Sequence, residues 1–168
     1  VAESLPFPDG RFDGVLSTFR VMFAQNHERA AAELARVCRK GGRLVLATWA
    51  REGAVAKFFG VVGKHSGAPP PPASPLAWGD PKHVKSLLGS DFDLMFEHGI
   101  NNAYYPDAQT VWDAFTTGFG PIRRLAQSLD PPRLEAFRRD FDAFHATYAT
   151  EAGLHLKREY LVTIGRRR

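Results

Sequence analysis

The sequence predicts an α/β fold built on a parallel sheet. Two short apolar segments, Phe12 to Phe19 and Arg43 to Trp49, have the composition of buried strands. Between them, His27 to Lys40 has the periodicity of one amphipathic helix. A strand, crossover helix and strand in this order produce a parallel pair, and such sheets bind ligands at the carboxyl ends of their strands. We therefore expect a ligand crevice where these two strands end.

A tight turn precedes the first predicted strand. The segment PFPDG, residues 6–10, combines two prolines with an Asp-Gly pair, and both features favour chain reversal. Val15 and Leu16 are consecutive apolar residues, as expected for a strand that is covered on both faces. Ser17 and Thr18 then bring small hydroxyl side chains to the carboxyl end of this strand.

The predicted helix has recognisable signals at both ends. Asn26 is a suitable N-cap, and the pair Gly41 and Gly42 is expected to end the helix as its C-cap. One apolar stripe along the helix is expected to be buried; it consists of Ala30, Leu34, Val37 and Cys38.

The remainder of the chain predicts further helices and two more strands. Helices are expected over residues 54–65, 81–88, 108–119 and 132–149, and strands over 92–105 and 154–164. Four consecutive prolines, Pro69 to Pro72, predict an extended connector. The spacing of Phe137, Phe141 and Phe144 indicates a core-facing helical stripe, although an aromatic pocket for an apolar substrate is the alternative.

Composition narrows the class of protein. The 168 residues carry a net charge of only +4, part of it in the terminal Arg166 to Arg168, so we expect no nucleic-acid partner. Cys38 is the only cysteine, which rules out an intrachain disulfide. No apolar run approaches the roughly 18 residues of a membrane span, and the N-terminus lacks signal-peptide features. A cytoplasmic protein without a membrane partner is expected.

The two strand segments and their helix also resemble a known family. LPFPDGRFDGVLSTF followed by HERAAAELARVCRKGGRLVLATW is similar to the second half of class I S-adenosylmethionine-dependent methyltransferases. The resemblance implies part of a Rossmann-like methyltransferase sheet, its second half, with added helices before the last strand. The matching residues are Leu5, Pro6, Phe7, Asp9, Phe12, Asp13, Glu33, Leu34, Arg36, Val37, Gly41, Gly42 and Leu44.

Two features of the family are not found in this sequence. They are the glycine-rich loop after the first strand and the acidic residue that holds the ribose hydroxyls. The chain begins with Val1 rather than Met, and we expect it to be the C-terminal part of a longer enzyme. The predicted organisation is a single partial methyltransferase domain over 1–168. Its parts are a strand-helix-strand core (1–50), helices and a strand (51–107), a helical substrate-covering insertion (108–153), and the last strand with a basic tail (154–168).

The resemblance implies a set of cofactor-binding residues for S-adenosylmethionine. Those expected near its methionine part and methyl group are Ser17, Thr18, Phe19 and Met22, and those expected at the adenine edge are Ala2 and Glu3. Ser17 and Thr18 have an alternative role, which is to cap backbone groups at the strand end. Val1 occupies the place where the family often has an adenine-binding aspartate, and valine offers no hydrogen-bond acceptor.

Methyl transfer to a small-molecule acceptor is the function that the resemblance implies, and a non-catalytic remnant or binding module is the alternative. No catalytic residue is assigned, because positioning and desolvation can supply most of the rate of this displacement. His27 is a possible general base, or simply a polar residue in the first helical turn. The six histidines show no spacing typical of a metal site. Without the neighbour that the family provides, the first strand becomes an apolar edge that favours self-association.

Overall fold

The computed structural model describes residues 1–168 and confirms the predicted α/β class. The strands are β1 (Phe12–Thr18), β2 (Cys38–Trp49), β3 (Phe92–Tyr105), β4 (Ala149–Thr150) and β5 (Gly153–Arg167). The helices are α1 (His27–Val37), α2 (Ala54–Ser66), α3 (Pro81–Leu88), α4 (Ala108–Gly118), α5 (Gly120–Ser128) and α6 (Pro131–Ala146). Short 3-10 helices cover Val21–Phe23 and Pro75–Gly79.

The sheet order is β1-β2-β5-β3, with the short β4 paired to β5. β1 and β2 are parallel, as the sequence predicts, and Thr18 lies beside Ala47 near their carboxyl ends. β2 and β5 are antiparallel, so that Trp49 at the end of β2 lies opposite Tyr160. The carboxyl ends of β1 and β2 therefore lie at the same edge of the sheet, and β5 contributes a residue to that edge.

The chain divides into two compact units. The first, which we call the sheet unit, comprises 1–53, 70–100 and 159–168, and the second, the helical unit, comprises 54–69 and 101–158. The core of the sheet unit includes the fully buried Met22, Leu44, Trp78, Leu88 and Phe92. The core of the helical unit includes the fully buried Val111, Ile122, Phe137 and Phe141. The aromatic stripe of the last predicted helix thus lies in a core, as its spacing indicates.

Several predicted boundaries agree with the structure. α3 and β3 have the bounds expected from sequence, and the Asp80 side chain caps α3 by accepting a hydrogen bond from the Lys82 N–H. Asn26 caps α1 in the same way. α6 ends at Ala146, three residues before the predicted Ala149. None of the helices combines the length and the apolar character needed to cross a membrane.

The prediction that the glycine pair caps α1 is wrong. α1 ends at Val37, and β2 already begins at Cys38. Gly41, with a φ of 75°, and Gly42 lie inside β2, where its register with β1 shifts. A Cβ on Gly42 would approach the Arg39 carbonyl oxygen to 2.8 Å, so the close backbone approach requires glycine. The two glycines therefore belong to an irregular stretch of the β1–β2 pairing. In the sequence alone, glycines at such a position look the same as glycines that end a helix.

β1 is not covered on both faces, contrary to the prediction from its consecutive apolar residues. Val15 is half-buried, whereas Leu16 is 71% exposed. β1 lies at one end of the strand order, so one of its long sides has no neighbouring strand. The strand also ends at Thr18, one residue early, because Phe19 adopts a positive φ of 53°.

Candidate functional site

Two hydroxyl residues end β1 and differ in their surroundings. The Ser17 hydroxyl oxygen accepts a hydrogen bond of 3.1 Å from the Val21 N–H, which starts the 3-10 helix that follows. Ser17 therefore has the capping role that the sequence left open as an alternative. Thr18 is exposed at the strand end, whereas Ser17 is half-buried.

Phe19 has the only positive φ among the non-glycine residues of the chain. Its N–H donates a 2.7 Å hydrogen bond to the Ala47 carbonyl, and its ring stacks on Trp49 with centroids 4.0 Å apart. A left-handed conformation costs a residue other than glycine about 1 kcal/mol or more. The hydrogen bond and the ring stacking hold this unfavourable conformation at the edge where the strands end.

Tyr160 joins these two rings from β5. Its ring centroid lies 6.2 Å from that of Phe19, with the planes at 82°. The ring also lies directly over Gly99, where any Cβ would collide with it. Phe19, Trp49 and Tyr160, which we call the aromatic edge cluster, are each half-buried. Topology assembles the cluster, since its members come from the ends of β1 and β2 and from the facing position of β5.

The other residues expected to bind the cofactor differ in their surroundings. Met22 is fully buried in the core of the sheet unit, and Ala2 packs against that core. The Glu3 carboxylate accepts a 2.6 Å hydrogen bond from the Gln25 N–H. Hydrogen bonds from its own backbone N–H and from Gln25 lower the pKa of Glu3. The Glu3 carboxylate is therefore an ionised partner of the segment that leads into α1.

His27 is buried rather than a solvated first-turn residue. It is 5% exposed, its Nδ1 lies 3.1 Å from His83 Nε2, and its ring lies 5.4 Å from that of Trp78. The Nε2 atom of His27 has no hydrogen-bond partner. Desolvation first, and then the nearby His83, lower the pKa of His27, against a smaller opposing effect of Glu3. The two histidines are 56 residues apart in sequence, so no local pattern reveals the pair.

We expect His27 to make the protein less stable in mild acid. Because the folded state lowers its pKa below the usual 6.5, the unfolded chain takes up the proton first as pH falls through that value. The free energy of unfolding should therefore decrease below about pH 6.5 and be unaffected by His27 above it. His27→Gln should flatten this dependence in urea titrations across that range.

His145 provides an independent comparison for this expectation. It is 1% exposed in the helical unit, and burial likewise lowers its pKa. His145→Gln should remove a second part of the acid dependence, and the double variant should remove both parts. Identical pH profiles for wild type and His27→Gln would contradict the assignment of acid sensitivity to His27.

The residues that carry the family resemblance have a structural role. The Glu33 carboxylate accepts a 2.6 Å hydrogen bond from the Leu5 N–H. The Arg36 guanidinium contacts Glu33 at 2.6 Å, the Phe7 carbonyl at 2.7 Å and Asp9 at 2.8 Å. Hydrogen bonds from Arg36 and Leu5 lower the pKa of Glu33 to about 2. These contacts therefore hold the turn before β1 against α1, which positions the start of that strand.

A second polar cluster lies in the helical unit and was not apparent from sequence. The Asp140 carboxylate contacts His65 Nε2 at 2.8 Å and Lys64 Nζ at 2.6 Å, and these hydrogen bonds lower the pKa of Asp140. The contacts fasten α2 to α6. No group of three or more histidine, cysteine, aspartate or glutamate side chains is arranged to hold a metal ion.

Comparison with known proteins shows what this chain is similar to. Residues 1–46 match a family model described as a methyltransferase domain. An uncharacterized protein of Mycobacterium bovis is 44% identical over 141 residues, covering 80% of this chain and 51% of the relative. A phosphatidylethanolamine N-methyltransferase of Cereibacter sphaeroides is 42% identical over 74 residues, covering 39% of this chain and 36% of the relative. The chain thus spans about half of the length of the M. bovis relative.

Solved structures match nearly the whole fold. The YcgJ protein of Bacillus subtilis has a TM-score of 0.60 at 18% identity, covering 99% of this chain and 68% of that one. A candidate methyltransferase of Bacillus halodurans has a TM-score of 0.57 at 16% identity, covering 98% of this chain and 74% of that one. Identity at this level establishes similarity of fold. These structures show similarity of fold over nearly the whole chain, and the match to the methyltransferase family model extends over residues 1–46.

Proposed function

We propose that the chain serves in S-adenosylmethionine-dependent methyl transfer to a small-molecule acceptor, as the C-terminal part of a longer enzyme. One observation carries the proposal. The family pattern of residues 1–46 coincides with the carboxyl edge of the parallel pair β1 and β2, where sheets of this kind bind ligands. The match covers only 51% of the M. bovis relative, which supports the view that a whole enzyme contains more than these residues.

The residues at the strand ends suit the methionine end of the cofactor. The exposed hydroxyl of Thr18 can hydrogen-bond polar groups, and the ring of Phe19 offers an aromatic surface to a sulfonium. Bound S-adenosylmethionine would supply an electrophilic methyl group there. The adenine end fits less well, because Val1 has no side-chain acceptor and Glu3 already binds backbone N–H groups. Upstream sequence would have to complete that end of the site.

The proposed methyl transfer can proceed without a catalytic acid or base. Displacement at a sulfonium methyl is accelerated by holding the reactants in line and excluding water. A small organic acceptor suits such a site, and one relative is named for methylating phosphatidylethanolamine. No residue is proposed as a general base, since the acceptor decides whether one is needed. A cytoplasmic location without nucleic-acid partners remains part of the proposal.

Calorimetric titration with S-adenosylhomocysteine tests the proposed cofactor site. Micromolar binding to residues 1–168, or binding that appears when upstream sequence is added, is expected. Thr18→Val should weaken this affinity about threefold to tenfold, because one hydrogen bond contributes about 0.5–1.5 kcal/mol. Thr117→Val is the matched control on α4, where the hydroxyl donates only to the Asp113 carbonyl. An equal effect of the two substitutions would contradict the assignment of Thr18.

A non-catalytic binding module is the second candidate. It is favoured by the internal use of two expected cofactor ligands, since Ser17 accepts a hydrogen bond from the Val21 N–H and Glu3 accepts one from the Gln25 N–H. This candidate predicts no binding of S-adenosylhomocysteine either by this chain or by the chain extended upstream. Binding by either form would exclude it.

Self-association through β1 is expected from its exposed edge. Leu16 is 71% exposed on this strand, and unpaired apolar edges favour pairing with another chain. Leu16→Lys should shift the sedimentation profile of concentrated protein toward monomer. Met95→Lys is the control, because Met95 is 57% exposed on β3 at the opposite end of the strand order. If Met95→Lys alone reduces association, the interface lies on the β3 side.

A further inference from the structure

The proposed contact of Phe19 with a sulfonium does not explain the arrangement of the whole aromatic edge cluster. Phe19 and Trp49 stack at 4.0 Å, and Tyr160 meets Phe19 at 82°. The two near-perpendicular rings form a corner at the carboxyl edge of the sheet. Each of the three side chains keeps part of its surface accessible, although an aromatic residue at a strand end is readily buried in a core.

Two backbone positions, at Phe19 and Gly99, are less stable than they could be because they hold this corner in place. Phe19 holds a left-handed conformation, with a φ of 53°. On β3, Gly99 leaves the space that the Tyr160 ring occupies, and any other residue there would displace the ring. Glycine inside a strand weakens it, so its use under an aromatic ring indicates that the ring position matters.

Aromatic corners of this kind bind cations that carry methyl groups. The face of each ring has a negative potential, and a cation within about 6 Å of the ring centre is attracted to it. A methylated ammonium spreads its charge over its methyl groups and has few or no N–H donors to satisfy. A methylated ammonium is therefore bound by aromatic and apolar surfaces rather than by carboxylates. The three rings of the cluster provide such surfaces.

We propose that the aromatic edge cluster binds a methylated ammonium, the cationic product of methyl transfer to a neutral amine. The nitrogen lone pair of the neutral amine forms the new N–C bond as the sulfonium C–S bond breaks, S-adenosylhomocysteine leaves, and the product ammonium keeps the positive charge. Phe19 and Tyr160 supply the cation-binding faces, and Trp49 supports Phe19 by stacking. Gly99 acts as a positioning residue for Tyr160. This inference rests on the proposed methyl-transfer function for its biological meaning, but the binding itself is testable without turnover.

The test is binding of tetramethylammonium to the purified chain, followed by NMR titration. Tert-butanol serves as a neutral probe of similar size and shape. The cation should bind about fivefold to thirtyfold more tightly than the neutral probe, which is the range expected for a cation on desolvated aromatic rings. Equal affinities, or no binding of the cation, would overturn the proposal.

Three substitutions locate the bound cation. Tyr160→Leu and Phe19→Leu should each lower the affinity for tetramethylammonium about fivefold, in line with the loss of one aromatic face. Gly99→Ala should lower it while leaving every ring present. The matched control is Tyr104→Leu, whose ring is 70% exposed and stacks on a histidine in the helical unit.

Circular dichroism of each variant identifies any that fails to fold, and the remaining variants then decide the outcome. If Tyr104→Leu reduces the affinity as much as Tyr160→Leu does, the cation binds elsewhere and the proposal is wrong.

A competition experiment distinguishes the ammonium from the sulfonium of the cofactor. Simultaneous binding of tetramethylammonium with S-adenosylhomocysteine and with S-adenosylmethionine supports an ammonium site. Displacement by S-adenosylmethionine but not by the uncharged S-adenosylhomocysteine assigns the corner to the sulfonium and overturns the ammonium proposal. Binding of tetramethylammonium, with no binding of either adenosyl compound by this chain or by the chain extended upstream, would count against the proposed methyl-transfer function and leave the cation site intact.

Discussion

Phe141→Ala is expected to lower the free energy of unfolding by about 3–5 kcal/mol, the usual cost of removing a buried phenylalanine ring. Phe141 is fully buried in the core of the helical unit. Its ring centroid lies 5.1 Å from Trp112, 5.7 Å from Phe58 and 4.2 Å from His145. The substitution leaves a cavity that these large rings cannot fill without leaving their rotamers.

Urea titration measures this loss, and hydrogen exchange locates it. Since whole domains are stable by only about 5–15 kcal/mol, amides of the helical unit should lose most of their protection. Phe119→Ala is the matched control, because Phe119 is 44% exposed in the same unit. It should change stability by less than about 1 kcal/mol. Comparable losses for the two variants would mean that Phe141 does not occupy the core.

Leu44→Ala is expected to destabilise the sheet unit by about 2–5 kcal/mol. Leu44 is fully buried on β2, beside Val15 on one neighbouring strand and Gly165 on the other. Its side chain belongs to the core that packs between the sheet and α1. Truncation removes apolar contact in the centre of this core, so protection from hydrogen exchange should fall in β1 and β2.

Leu16→Ala is the matched control for Leu44→Ala. Leu16 lies one strand away, on β1, and is 71% exposed. It should change the free energy of unfolding of dilute protein by no more than about 0.5 kcal/mol. If Leu16→Ala is as destabilising as Leu44→Ala at low concentration, then Leu16 is covered within the folded chain and the edge position of β1 is wrong.

Much of the fold was predictable because its signals are local. The bounds of α3 follow from an aspartate N-cap, a proline in the first turn and a closing glycine. β3 was expected from the alternation of Phe92, Leu94 and Phe96 with their neighbours at the start of Phe92–Tyr105. The glycine pair shows the limit of such signals. Glycine marks both helix ends and close strand approaches, and only the pairing of β1 with β2 decided between the two.

The candidate site was predictable only in part. The resemblance pointed to the end of β1, and the structure assigns separate surroundings to the residues found there: Ser17 caps, Thr18 is exposed, and Met22 is buried. The pairing of His27 with His83 was missed, because 56 residues separate them and no spacing rule connects two single histidines. The Asp140 contact with His65 was missed for the same reason, at a separation of 75 residues.

The sequence by itself determined the α/β class, most helix and strand positions, and the resemblance of its first part to a methyltransferase family. These properties depend on side-chain periodicity and capping within a few residues, where chain connectivity fixes the geometry. Only the tertiary structure decided that Leu16 is exposed, that His27 is buried, and that Phe19, Trp49 and Tyr160 meet at one edge. Burial and long-range contacts depend on strand order and register, which join residues that are distant in sequence.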